Sequence, residues 1–121
     1  MRDKIAPHTR YAQKWVANSG VGTASDTVDA VAPATADESW CAEEVVVSFS
    51  AMPTAALLTV EYQDASGVSV ATVLQANVTT AGGVRFRLHG VNRSPNQNEK
   101  LVAKISNTNT GVTGYITLFY R

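Results

Sequence analysis

Apolar and polar residues alternate with a period of two through most of the chain after residue 43, and no segment sustains the 3.6-residue period of an amphipathic helix. The cleanest case is GGVRFRLHG, residues 82–90, with Val84, Phe86 and Leu88 on one side and Arg85, Arg87 and His89 on the other. Successive side chains of a strand point to opposite faces, so this pattern predicts a half-buried strand. Residues 44–50 set Val45, Val47 and Phe49 against Glu44, Val46, Ser48 and Ser50. Residues 57–63 set Leu58, Val60 and Tyr62 against Thr59, Glu61 and Gln63, and residues 100–106 alternate again. AMPT with Pro53, DASG at 64–67, VNRSPNQNEK and NTNTG carry the glycine, proline and amide residues of turns and loops. On this basis 44–50 and 57–63 form a hairpin completed by 68–74. The last run, VTGYITLFYR, is apolar on both faces and is expected to be central or covered by another subunit.

Six or more short strands with turn signals between them predict an all-β fold, a two-sheet antiparallel β-sandwich, of which the jelly roll is one form. The chain has 121 residues, enough for one domain, and its 45% hydrophobic and 17% charged content is that of a globular protein rather than a disordered one. The first forty residues differ: TRYAQKWVANSG suits a strand or a helical turn, and VGTASDTVDAVAPATADES is rich in small residues. Residues 1–38 are therefore read as an extended N-terminal arm with one or two edge strands, and 39–121 as the sandwich domain. No apolar run is long enough to cross a bilayer as a helix, and MRDKIAPHTRYAQKW lacks the apolar core of a signal peptide. Synthesis in the cytoplasm and no membrane partner are the expectations.

The formal net charge is zero, but it is unevenly spread. Residues 1–20 carry Arg2, Lys4, Arg10 and Lys14 against Asp3, a balance of +3. Residues 21–84 carry Asp26, Asp29, Asp37, Glu38, Glu43, Glu44, Glu61 and Asp64 with no basic residue, a balance of −8. Residues 85–121 carry Arg85, Arg87, Arg93, Lys100, Lys104 and Arg121 against Glu99, a balance of +5. Such asymmetry either pairs strands inside the fold or makes complementary surfaces on neighbouring subunits. The acidic middle would repel phosphate, so nucleic acid is not expected as a partner.

No nucleophile elbow, P-loop or zinc-protease spacing occurs, and the two histidines, His8 and His89, lie far apart with no metal-ligand spacing. The lone Cys41 reads as a small buried apolar residue. Asp37/Glu38 and Glu43/Glu44 could frame a carboxylate site, but adjacent strand residues point to opposite faces and do not converge, so solvated edge charge is the simpler account. No enzyme activity, metal or cofactor is expected. Aromatic residues are the remaining candidates: Trp40 suits the core, whereas Tyr11 and Trp15, in the basic arm, suit an interface.

The run VVVSFSAMPTAALLTVEYQDASGVSVATVL, with NEKLVAKISNTNTGVTGYITLFYR at the end of the chain, resembles small β-sandwich proteins of tailed-phage particles. The likeness spans residues 44–121 and runs through Phe49, Pro53, Leu58, Val60, Gly67, Leu101, Asn107 and Tyr115. It implies a virion structural protein of the capsid decoration or cement type, a homotrimer on the outer surface of the capsid that binds the major capsid protein and has no catalytic residues. In that reading Arg2, Lys4, Arg10, Tyr11, Lys14 and Trp15 form the shell-binding arm, and Glu43, Glu44, Arg85 and Arg87 pair between subunits. Deleting residues 1–18 would then abolish shell binding and spare the fold. The rival readings are a tail- or head-fibre module that stacks glycan or receptor on Trp15, Tyr62 or Tyr120 beside Asn92, Asn96 and Asn98, and a small hydrolase using Asp37, Glu38 or His89.

Overall fold

The computed structural model describes residues 13–21, 27–53, 56–88, 94–106 and 112–121. These contain the strands β1 (Lys14–Val21), β2 (Thr27–Ala32), β3 (Ala42–Phe49), β4 (Ala56–Gln63), β5 (Ser69–Val78), β6 (Val84–Arg87), β7 (Lys100–Ser106) and β8 (Thr113–Tyr120). One sheet has the order β1-β8-β3-β6 and the other β2-β7-β4-β5, and every pairing is antiparallel. The ladders β1·β8, β2·β7, β3·β6 and β4·β5 are those of one long hairpin with its tip between β4 and β5, rolled so that successive rungs alternate between the sheets. The chain is a jelly roll.

The alternation seen in the sequence becomes the core. Val45, Val47 and Phe49 from β3 meet Leu58, Val60 and Tyr62 from β4, with Leu101, Ala103 and Ile105 from β7 and Ile116 and Leu118 from β8. Burying a side chain of this kind stabilises by roughly 1.5–3 kcal/mol relative to leaving it in water. The sheets approach closely at Gly114, where a Cβ would lie 2.8 Å from Ile105 Cδ1 and 3.4 Å from the Phe49 ring. At the hairpin tip the Gly67 N–H donates to the Asp64 carbonyl, and Gly67 takes φ 97°, a value that suits glycine. The Asp64 carboxylate accepts from the Val68 N–H, the Ser66 hydroxyl and the Ser66 N–H, which together hold its pKa below the ordinary value, the Val68 bond contributing most.

Several expectations change. Residues 44–50 and 57–63 do not pair: β3 and β4 lie in opposite sheets, and β4 pairs with β5. A strand-turn-strand pattern carries no record of whether the turn returns to the same sheet or crosses to the other. β8 is central, between β1 and β3, and only its inward side is buried. β1 and β2 each edge one sheet, with β6 and β5 at the opposite edges, and β1 pairs with β8 along its whole length, so deleting residues 1–18 removes part of the sandwich. Cys41 is half-buried rather than buried, and its backbone exchanges two hydrogen bonds with Arg121.

Candidate functional site

The outer face of the β1-β8-β3-β6 sheet follows from the register. Across the strands in order, one row reads Trp15, Phe119, Glu44, Arg87, the next Ala17, Thr117, Val46, Arg85, and the third Ser19, Tyr115, Ser48. Trp15 is 66% exposed and Tyr115 47%, while Phe119 is half-buried between its neighbours. The aromatic rows lie four residues apart along the strands, about 13 Å. Between them the small residues Ala17, Ser19 and Thr117, with Asn18, Tyr115 and Ile116, line a shallow depression of ≈ 390 Å³. The face is thus apolar and aromatic on the β1–β8 side and charged on the β3–β6 side.

The charged side is satisfied within one chain. Arg85 Nε lies 3.2 Å and Arg87 Nε 3.8 Å from the Glu44 carboxylate, and Arg121 Nη2 lies 3.1 Å from Glu43 Oε1, which also accepts from the Gln13 amide. The pairing expected between subunits is therefore made inside the fold, as cross-strand register places Glu44 directly opposite Arg87. The two glutamates also converge, against the expectation from strand alternation. The register between β3 and β8 shifts between Ala42 and Glu44, and this bulge turns Glu43 and Glu44 to the same side, where both line a depression of ≈ 340 Å³ with Gln13 and Arg87. No group of three or more metal-ligating side chains occurs among the described residues.

Of the residues assigned to an arm, Arg2, Lys4, Arg10 and Tyr11 lie outside the described residues. Lys14 and Trp15 open β1 and diverge: the Lys14 ammonium stands 5.6 Å from the Trp40 ring centroid, while Trp15 points to solvent. Trp40 is buried as expected, donating from its indole N–H to the Pro33 carbonyl and meeting Tyr120 edge-on at 5.2 Å. Tyr62 and Tyr120, offered as stacking platforms, are both buried in the core. Burial foremost, with the Glu38 charge adding, pushes the Tyr120 phenol above its ordinary pKa. Asn96 is held by the buried Glu99, which accepts from both its backbone and its side-chain amide, so it serves its own loop. Asn92 and His89 lie outside the described residues. Asp37 and Glu38 sit on an exposed turn and are joined by no histidine or further carboxylate among the described residues. Tyr115 and Phe119 were missed as surface residues: a run apolar on both faces does not tell which aromatic faces the core until the register is known.

No protein-family model matches this sequence, and no curated protein does. Solved structures share the fold. A carbohydrate-binding module described as CBM4 is 10% identical over 88% of this chain and 93% of its own, with a TM-score of 0.52. PirA is 14% identical over 90% of this chain and 93% of its own, with a TM-score of 0.50. A chain of infectious bursal disease virus, Gx strain, is 12% identical over 90% of this chain and 32% of its own, with a TM-score of 0.47. At such identities the likeness to the first two is one of fold.

Proposed function

We propose that this chain is a non-enzymatic structural protein of a virus particle, seated on the major capsid protein through the outer face of the β1-β8-β3-β6 sheet. The observation that carries the reading is the exposure of Trp15 and Tyr115 on one sheet face, with Phe119 beside Trp15 and two arginines on the same face. A large apolar side chain in water forfeits its burial energy, and Trp, Tyr and Arg are the residues that dominate protein interfaces. The basic residues Arg2, Lys4 and Arg10 and Tyr11 precede this edge directly in sequence and extend the contact as a clasp. The resemblance to phage sandwich proteins supplies the setting, the outer surface of a capsid.

The test is the copy number of the chain in purified particles by quantitative mass spectrometry, with wild type and Trp15→Ala. A fixed simple ratio to the shell protein is expected. Trp15→Ala should weaken attachment by roughly 2 kcal/mol, about thirtyfold in Kd, and leave the fold intact. Absence from particles would overturn the proposal.

A second reading is favoured by one observation. Trp15 and Tyr115 flank a floor of small, partly polar residues on a jelly-roll face, and this arrangement suits sugar rings that stack on aromatic side chains. A module of this kind would bind host-surface glycan from a tail or head fibre. Glycan titration that gives saturable binding, lost in Trp15→Ala and Tyr115→Ala, would establish it in place of shell attachment.

A further inference from the structure

On the outer face of the β1-β8-β3-β6 sheet the cations outnumber the carboxylates that hold them. Glu44 is shared by two guanidiniums, Arg85 at 3.2 Å and Arg87 at 3.8 Å, and the neighbouring Glu43 is taken by Arg121 at 3.1 Å. Cross-strand register accounts for Arg87, which lies directly opposite Glu44. It does not account for Arg85. That residue lies opposite Val46, in a row with Ala17 and Thr117 that holds no carboxylate, and it reaches diagonally to the same Glu44. The surplus charge therefore sits on β6, where the side chains of Arg85 and Arg87 stay 57% and 62% exposed. Away from this face the balance is reversed, and carboxylates outnumber cations among the described residues.

Alternate residues of a strand stand about 7 Å apart on one face, so the two guanidiniums can close on one further carboxylate brought from outside. Trp15 shares a row with Arg87, three strand spacings away, about 14 Å. We infer that the shell surface seated on this face is acidic where it meets β6, and presents a carboxylate to Arg85 and Arg87 about 14 Å from the apolar site that receives Trp15. In an extended segment that separation is about four residues. An acidic surface repels the carboxylate-rich remainder of the chain, so charge also sets which face docks. This partner chemistry rests on the same face being the shell contact.

The test is binding of the full chain to purified particles assembled without it, with Kd measured over a series of NaCl concentrations and circular dichroism on each variant as a check of folding. Wild type should bind more weakly as salt rises. Arg85→Gln/Arg87→Gln should raise Kd roughly tenfold at low salt and flatten the salt dependence. Arg85→Lys/Arg87→Lys keeps the charge without the planar fork and should keep the salt dependence. Trp15→Ala should raise Kd and leave the salt dependence as in wild type. If Trp15→Ala weakens binding while the double-glutamine variant matches wild type in Kd and salt dependence, the acidic partner is overturned and the shell contact stands. A double-lysine variant as insensitive to salt as the double-glutamine one also overturns it. If wild type does not bind, or neither Trp15→Ala nor the double-glutamine variant weakens binding, the shell contact falls and the acidic partner with it.

Discussion

Tyr62 does at one residue what a disulfide does in other small sandwiches. Its ring is fully buried in the β2-β7-β4-β5 sheet, and its hydroxyl accepts from the Ala42 N–H and donates to the Trp40 carbonyl at the start of the other sheet, both at 3.1 Å. A buried hydroxyl without partners would be costly, so the geometry that satisfies it also sets the distance between the sheets at this point. Tyr62→Phe keeps the ring and strands the Ala42 donor, with an expected loss of about 1–3 kcal/mol, read as a lower urea midpoint at unchanged m. Tyr120 carries a pH dependence. Its phenol keeps its proton to higher pH in the folded chain than in the unfolded one, so the folded state binds more protons in that window. Its contribution is complete below the ordinary pKa of 10.0 and is lost as pH rises through the raised folded value. Tyr120→Phe should flatten the alkaline decline in stability, measured by unfolding at a series of pH values.

At the scale of elements, β8 and β3 show how little of a strand's behaviour is its propensity. β8 places a glycine, a weak strand former, at its second position, where a Cβ would lie 2.8 Å from Cδ1 of the fully buried Ile105, so that one of them must shift. Gly114→Ala should therefore cost about 1–3 kcal/mol by overpacking, visible in thermal unfolding, whereas a substitution at the outward Tyr115 should leave stability nearly unchanged. β3 owes its paired glutamates to one bulge: without it Glu43 would turn into the core, where an unpaired carboxylate is not tolerated. The bulge instead delivers Glu43 to Arg121 and Glu44 to Arg85 and Arg87. These pairs are largely exposed and lock register more than they add stability.

For the whole molecule, the nested-hairpin topology makes the two ends of the chain neighbours: β1 runs beside β8 from Lys14 opposite Tyr120 to Val21 opposite Thr113. Removal of residues 1–18 therefore strips an edge from β8 and uncovers Val16's share of the core. The expected cost is several kcal/mol out of the roughly 5–15 kcal/mol that holds a domain of this size together, seen as a lower thermal midpoint. Removal of residues 1–12 leaves all eight described strands in place and should leave that midpoint within a few degrees of the full chain. A shell-binding defect in the second truncation with none in its stability would assign the clasp to the basic segment.

The period-two pattern by itself determined that this chain is all-β and two-layered, because alternation says which side of each strand is apolar and leaves no helical stripe to bury. Val45, Leu58 and Val84 were legible as inward residues for that reason, whereas Trp40 as core and Trp15 as surface were legible from their neighbours in sequence and not from the period. Pairing between distant strands has no local sequence signature. Only the tertiary structure decided that β3 and β4 part into different sheets, that Glu43 and Glu44 share a side, that Tyr62 and Tyr120 are core rather than platform, and that Trp15, Phe119 and Tyr115 gather on one face. Each of these is set by register, and register is chosen by the packing of residues tens of positions apart.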